Sequence, residues 1–75
     1  MAIRQEIKAF RNYVGLYQSE LAMMVNVCSL TVHRWETGKS EPSRLALSQL
    51  NLIGFDEEGR HDFVTFEKAK EEKVT

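Results

Sequence analysis

Apolar residues recur at helical spacing along the first part of the chain. Ile3, Ile7, Phe10 and Val14 stand at i, i+4, i+7 and i+11, which places them on one face of a helix. Gly15 follows directly, and glycine readily adopts the left-handed conformation in which many helices end. The pattern therefore predicts a first helix that ends at Gly15.

Residues 18–38 predict two short helices on either side of a tight turn. The first of these begins at Gln18. Its buried face is formed by three apolar residues at i, i+1 and i+4: Leu21, Ala22 and Val25. Asn26 stands where the chain must reverse, and asparagine tolerates the left-handed conformation better than most residues do. Val27 then closes the turn over the core.

The second helix of this pair directs Val32 and Trp35 inward and ends at Gly38. Four residues remain on its outer face, and no core contact explains them: Ser29, Leu30, His33 and Arg34. Two helices around a tight turn, with a polar face on the second, are typical of helix-turn-helix units that place this helix in the DNA major groove. The spacing aligns the four side chains along one strip that can face the floor of the groove.

A fourth helix is predicted after Pro42, because the residue before a proline is pushed out of the helical region and residues 39–42 then form a loop. Ser43 can cap this helix, and Gly54 ends it. Five apolar residues cover much of its circumference: Leu45, Leu47, Leu50, Leu52 and Ile53. We expect part of this surface to face the core. The remaining apolar surface from Leu45 to Phe55, together with Phe63 and Phe66, is expected to face a second subunit.

Residues 54–59 form an acidic turn, and the segment after it has two interpretations. Asp62 can cap a short helix in which Phe63 and Phe66 share a face, and the charged residues that follow favour a helix. The run from His61 to Phe66 is also locally prone to form a β-strand. We favour the helix, and we expect residues 73–75 to fray.

The chain resembles the Xre/Cro family of phage-repressor-like helix-turn-helix domains over residues 3–53, most densely between residues 18 and 42. The residues that carry the resemblance are Gln18, Glu20, Leu21, Ala22, Val25, Val27, Thr31, Val32, Trp35, Glu36, Gly38, Lys39, Pro42 and Ser43. The resemblance implies an all-α, lambda-repressor-like fold, a compact bundle of four to five short helices. The helix-turn-helix DNA-binding domain would span residues 1–55. Residues 56–75 would be an acidic C-terminal extension, a short helix or dimerisation element.

The resemblance also implies which side chains read bases. The positions that do so in the family are occupied here by Ser29, Leu30, His33 and Arg34. Arg34 can form a bidentate contact with guanine and Leu30 can pack on a thymine methyl group, whereas Ser29 is too short to discriminate strongly. His33 can donate either to a base or to a phosphate.

Five other residues are assigned roles by the same resemblance. Gln18 starts the second helix, where family members contact a phosphate and support the recognition helix. Lys39 and Arg44 lie where the loop and the next helix follow the DNA backbone, although charges in such places also simply solvate a surface. Arg11 and Glu36 occupy positions that form a partly buried ion pair between the first helix and the end of the third.

The net charge of −1 over 75 residues conceals an uneven distribution. Residues 1–55 carry six basic and four acidic side chains, whereas residues 56–75 carry four basic and seven acidic ones. The acidic excess is therefore separated in sequence from the predicted recognition helix. Because phosphate neutralisation supplies most non-specific affinity for DNA, we expect modest non-specific binding that salt readily reverses.

Composition argues against several other classes of protein. The single cysteine excludes an internal disulfide, and no cysteine and histidine cluster has zinc-ligand spacing, so we expect no metal and no cofactor. Cys28, His33 and His61 form no recognisable catalytic triad and no glycine-rich phosphate loop is present, so we do not expect an enzyme. No apolar run approaches the roughly 20 residues that cross a bilayer. We expect a cytoplasmic protein of bacterial, plasmid or phage origin, with no secretory segment and no membrane partner.

Two functions fit this sequence. The first is a sequence-specific DNA-binding transcriptional regulator, in particular a repressor, that acts as a homodimer on a near-palindromic double-stranded DNA operator. The second is a protein-interaction module of the same fold, such as an antitoxin or antirepressor, that holds a protein partner through its C-terminal extension. The acidic tail with Phe63 and Phe66 favours the second.

Overall fold

A computed structural model describes residues 3–73, with side chains described as far as residue 71. The helices are α1 (Ile3–Val14), α2 (Gln18–Met24), α3 (Ser29–Thr37), α4 (Arg44–Leu52) and α5 (Phe63–Lys73). These residues contain no β-strand, so the predicted all-α class is confirmed. The expectation that the chain frays at its end concerns residues 74 and 75, which lie outside the described residues, and residue 73, which is still helical.

α1 presents the predicted apolar stripe to the core. Ile7 and Phe10 are fully buried, and Ile3 and Val14 are partly buried against the same cluster. The helix ends where Gly15 adopts a φ of +76°, a left-handed conformation that costs a residue with a side chain roughly 1–2 kcal/mol. The predicted end of the first helix is therefore correct.

α2 and α3 are joined by the turn of residues 25–28 and pack against each other. Asn26 reverses the chain with a φ of +59°, as the sequence predicts. The backbone N–H of Val27 donates to the carbonyl oxygen of Ala22 at 3.0 Å, which draws the chain back over the helix it has just left. Val25, the residue before Asn26, is buried. The turn thus fixes where α3 begins.

α3 is anchored in the core through Val32 and Trp35, both of which are buried. Gly38 ends the helix with a φ of +79°. Cys28 precedes its first residue, and the thiol caps no backbone N–H group. The helix is therefore held by its inner face and by its C-terminal end, and not by a side chain at its N-terminus.

α4 divides its leucines between the core and the surface. The Ser43 hydroxyl accepts a hydrogen bond from the Ala46 N–H at 3.2 Å, which is the predicted cap. Leu50 is fully buried, whereas Leu45 and Leu52 are 72% and 67% exposed. Because the helix is apolar on most sides, its sequence alone does not determine which leucines turn inward.

The segment after residue 61 is a helix, and the strand interpretation is wrong. Asp62 Oδ1 accepts hydrogen bonds from the backbone N–H groups of Val64 and Thr65 at 3.0 and 3.2 Å. The Thr65 hydroxyl donates to Asp62 Oδ2 at 2.7 Å. The hydrogen bond from this hydroxyl, followed by those from the backbone, lowers the pKa of Asp62 below its ordinary value. Asp62 therefore caps α5 as predicted.

The chain after residue 55 belongs to the same core as the helices before it. The rings of Phe55 and Phe66 meet the ring of Phe10 edge-on, with centroid distances of 5.7 and 6.3 Å. We expected Phe55 and Phe66 on a surface that faces a second chain, and this is wrong: both are buried, Phe66 with 1% exposed. The reason is that they complete the aromatic cluster around Phe10. Phe63 remains exposed.

His61 also lies in this aromatic cluster. Its ring stacks on Phe55 at a centroid distance of 5.4 Å and meets the ring of Phe10 at 5.2 Å. Nδ1 accepts a hydrogen bond from the Asp56 N–H at 3.2 Å, so the proton of the neutral ring is on Nε2. Nε2 lies 3.7 Å from Glu6 Oε2 of α1, beyond hydrogen-bond distance, and this buried atom has no hydrogen-bond partner within the described residues.

Gly54→Ala should destabilise the protein much more than Gly15→Ala. Both glycines have a positive φ, so each substitution costs about 1 kcal/mol in backbone strain. A methyl group at position 15 meets nothing within 4 Å, whereas one at position 54 meets the carbonyl oxygen of Asp62 well inside contact distance. The Asp62 N–H also donates to the Gly54 carbonyl oxygen at 2.8 Å, so the two segments cannot separate freely. We expect a further loss of about 1–3 kcal/mol for Gly54→Ala.

Urea denaturation of the two variants measures this difference. Equal losses would contradict the close approach of residues 54 and 62.

Candidate nucleic-acid interface

The outer strip of α3 is available to another molecule. It consists of Ser29, Leu30, His33 and Arg34, all of which are exposed. Within the described residues, none of these four side chains has a hydrogen bond or an ion pair. The strip therefore presents a hydroxyl, an isobutyl group, an imidazole and a guanidinium that are not engaged in polar bonds within the described residues.

The C-terminal end of α3 is tied to α1 by a bidentate ion pair. Arg11 Nε donates to Glu36 Oε2 at 2.7 Å, and Arg11 Nη2 donates to Glu36 Oε1 at 3.0 Å. A third bond runs from Arg11 Nη1 to the carbonyl oxygen of Leu16 at 3.0 Å. The side chains of Arg11 and Glu36 are 14% and 4% exposed. The structure thus brings together the two residues expected to pair, in the fork geometry that fixes their orientation.

Gln18 joins this ion pair from α2. Its Nε2 atom donates to Glu36 Oε1 at 3.2 Å. The side-chain amide has two N–H donors, so one remains for an external acceptor. The contact supports α3 directly, and a phosphate contact by Gln18 would use the second N–H.

Hydrogen bonding determines the charge state of this network. Burial alone would raise the pKa of Glu36, but the hydrogen bonds from Arg11 and Gln18, together with the positive charges of Arg11 and Lys8, outweigh burial and lower this pKa. The hydrogen bond to Glu36 raises the pKa of Arg11 above its ordinary value. Both members of the pair are therefore charged at neutral pH.

The two basic residues expected at the DNA backbone are both exposed. Lys39 follows Gly38 at the end of α3, and Arg44 is the first residue of α4. Neither side chain has an ion pair within the described part of the chain. Glu41, which lies between them in sequence, is also exposed and reduces the positive charge of this loop.

Tyr17 is a further candidate that the sequence pattern does not single out. Its N–H donates to Glu20 Oε1 at 2.8 Å, which fixes its backbone at the start of α2. Its ring is exposed directly before Gln18. Tyrosine hydroxyl groups are donors to DNA phosphates in many complexes. One signal in the sequence points to this residue: a helix begins directly after Tyr17, and a tyrosine side chain is not one that caps a helix.

Residues 3–71, whose side chains the structure describes, hold no group of three or more histidine, cysteine, aspartate or glutamate side chains arranged to bind a metal ion. None of the described helices is long and apolar enough to cross a membrane. Cys28 is exposed and has a free thiol.

Glu36→Ala should destabilise the fold by about 2–3 kcal/mol, because the Arg11 guanidinium would remain mostly buried without its counter-charge. The matched control is Glu57→Ala, since Glu57 is exposed and has no ion pair within residues 3–71. The control should change the stability by less than about 0.5 kcal/mol. Urea denaturation at neutral pH measures both variants, and an unchanged midpoint for Glu36→Ala would contradict the structural role of the pair.

The pH dependence of stability gives this prediction a second readout. Because the pKa of Glu36 is lower in the folded chain than in the unfolded one, its contribution is fully present above the ordinary glutamate value of about 4.3. It is lost as the pH falls through the folded value. In Glu36→Gln, the free energy of unfolding should therefore fall less steeply as the pH decreases through this range. An equally steep fall in the variant and the wild type would contradict the pKa shift.

Comparison of this chain with protein-family models, with curated proteins and with solved structures gives no match.

Proposed function

We propose that the protein is a sequence-specific DNA-binding transcriptional regulator of helix-turn-helix type, a repressor that acts as a homodimer on a near-palindromic operator. The observation that carries the proposal is the division of α3 into two faces. Val32 and Trp35 are buried, whereas the outer strip is exposed and free of bonds within the described residues. A helix that is held on one side and polar on the other is what recognition in a major groove requires.

The outer strip has the chemistry needed to distinguish base pairs. The Arg34 guanidinium can donate two hydrogen bonds to O6 and N7 of guanine, and the Leu30 side chain can pack on a thymine methyl group. Ser29 and His33 add shorter polar contacts next to them. No bond within the described chain has to be broken before these groups bind, so the local costs of binding are the dehydration and the ordering of the side chains.

The network around Glu36 makes α3 a rigid element. Arg11 from α1 and Gln18 from α2 both donate to the Glu36 carboxylate, so the angle between α3 and its neighbours is fixed before DNA binds. A preorganised surface loses less conformational entropy on binding and discriminates more sharply between ligands.

Phosphate contacts would come from residues that precede and follow α3 in the sequence. The second N–H of Gln18 lies at the start of α2, Lys39 follows α3, and Arg44 begins α4. Contacts of this kind position a protein on DNA without reading sequence. They also make the affinity fall as salt rises, because each neutralised phosphate releases counterions.

A second candidate function is favoured by one specific observation, an exposed aromatic patch. The rings of Tyr13 and Phe63 meet edge-on at a centroid distance of 6.1 Å, and both are exposed together with Val64. An exposed apolar patch of this kind is typical of a site that binds another protein. On this hypothesis the protein is an antitoxin or antirepressor whose partner contacts Tyr13, Phe63 and Val64.

Selection of genomic DNA fragments by the purified protein, followed by sequencing at a stated salt concentration, separates the two functions. An enriched inverted repeat supports the regulator. A pool without enrichment would overturn it and leave the protein-binding patch as the better candidate.

Arg34→Ala should cost roughly 1–3 kcal/mol on the selected operator and should relax the preference at one base pair in each half-site. The reason is that alanine cannot form the two hydrogen bonds that arginine donates to a guanine of the operator. Random DNA does not have a guanine at this fixed position. Binding to random DNA should therefore change little. Titrations on both DNAs measure the effect, and equal losses on the two would mean that Arg34 contacts only the backbone.

Lys39→Ala and Arg44→Ala should each weaken binding to all sequences alike and reduce the slope of log affinity against log salt by roughly one for each phosphate that the variant no longer neutralises. Lys68→Ala is the matched control, since Lys68 is an exposed residue of α5 outside the proposed interface. Salt titrations of the three variants test this placement. Unchanged slopes for Lys39→Ala and Arg44→Ala would show that the DNA backbone runs elsewhere.

A further inference from the structure

We infer that a second copy of this chain docks on the exposed face of α4, with the two α4 helices antiparallel. The α4 face consists of the exposed residues Leu45, Ser48 and Leu52 and of Gln49, which is partly buried. Leu45 and Leu52 stand seven residues apart, so they lie about 10 Å apart along the helix and on the same side of it. The inference rests on the two-copy arrangement of the proposed function and does not depend on DNA recognition.

A shallow pocket of about 180 Å³ opens beside the N-terminal end of the α4 face. Its lining comes from the turn between α2 and α3 and from the start of α4: Val25, Asn26, Val27, Ser43, Leu45, Ala46 and Gln49. An apolar cavity of about 150 Å³ holds a benzene molecule, so this pocket has room for an aliphatic side chain. The protruding leucines and a recess that fits a leucine therefore lie on one surface.

The positions of the leucines and the pocket make this surface complementary to itself. When two α4 helices cross antiparallel, Leu52 of each copy reaches the pocket beside Leu45 of the other. A twofold axis then repeats the same contact on both sides, which is the geometry of a symmetric dimer. A parallel arrangement would instead bring each leucine against its own counterpart and leave both pockets empty.

Ser48 lies midway between the two leucines, where the twofold axis would pass. Its side chain is small and exposed, and its hydroxyl already donates to the Arg44 carbonyl oxygen at 3.1 Å. A second helix can therefore approach closely without leaving an unpaired hydroxyl donor in the interface. Larger polar side chains at this position would hold the helices apart.

The distribution of charge favours a second copy over an unrelated partner. Residues 45–55 include no charged side chain, in a chain of which 28% is charged. A charge near a twofold axis meets its own copy and is repelled, so a neutral surface suits self-association. It gives a partner of opposite charge nothing to recognise.

The expected dimer is weak. Stable interfaces bury about 800 Å² on each partner, and two leucines with a shallow pocket form only a small part of such an area. We therefore expect association that depends strongly on protein concentration in the absence of DNA.

Sedimentation equilibrium of the full chain without DNA, at concentrations up to about 1 mM, tests the inference. The variants are Leu45→Lys, Leu52→Glu, the double variant L45K/L52E, and Val64→Lys as an equally exposed control on α5. Circular dichroism melting checks that each variant is folded, which is expected because all three positions are exposed.

Each single leucine variant should weaken dimerisation by about tenfold or more, and the Val64 control should leave it unchanged. The double variant should recover most of the loss, because in the antiparallel arrangement a lysine at position 45 meets a glutamate at position 52 on both sides of the axis. A wild type that stays monomeric would overturn the inference, as would loss of dimer only in the Val64 variant. A double variant weaker than either single one would overturn the antiparallel arrangement.

These outcomes are separate from the test of DNA binding. If the variants behave as expected but the protein selects no DNA sequence, the α4 interface is supported and the proposed regulator is overturned. If the protein selects an operator but its dimer is insensitive to substitutions at Leu45 and Leu52, the regulator is supported and the α4 interface is overturned.

Discussion

Glu36 lies in α3, but its carboxylate accepts hydrogen bonds from Arg11 in α1 and from Gln18 in α2. The apolar anchor of α3 consists of two buried residues, Val32 and Trp35, which determine the face of the helix that lies inward. The bonds to Glu36 add a polar contact near its C-terminal end. A bidentate pair permits one orientation. Because burying two charges offsets much of their attraction, our hypothesis is that the pair contributes to the choice of this arrangement of helices more than to net stability.

The helices could be predicted because each signal for them is local. The spacing of Ile7 and Phe10 gives the buried face of α1, and Gly15, Gly38 and Asn26 end helices or reverse the chain through conformations that few residues adopt. The rotation of α4 could not be predicted in this way. A helix that is apolar on most sides has no preferred inner face, and packing in the folded chain buries Leu50 and leaves Leu45 and Leu52 outside.

In the candidate site, too, local features could be predicted from the sequence and long-range contacts could not. The outer strip could be predicted because Val32 and Trp35 fix the inner face of α3, and the remaining residues must point outward. The hydrogen bond from Gln18 to Glu36 connects residues far apart in sequence, and His61 lies near Glu6, which is also distant in sequence. No neighbouring residue signals either arrangement. Phe66 was likewise predicted to share a helix face with Phe63, but which of the two would be buried depends on Phe10 in another helix.

The freedom of the outer strip from bonds within the described chain has an evolutionary consequence. Exposed positions without such bonds tolerate substitution at little cost in stability, whereas changes at Val32, Trp35 or Glu36 disturb the packing that the whole chain shares. The surface chemistry of α3 can therefore diversify one side chain at a time while the scaffold stays constant. Descendants of this chain can acquire new ligands without first acquiring new stability.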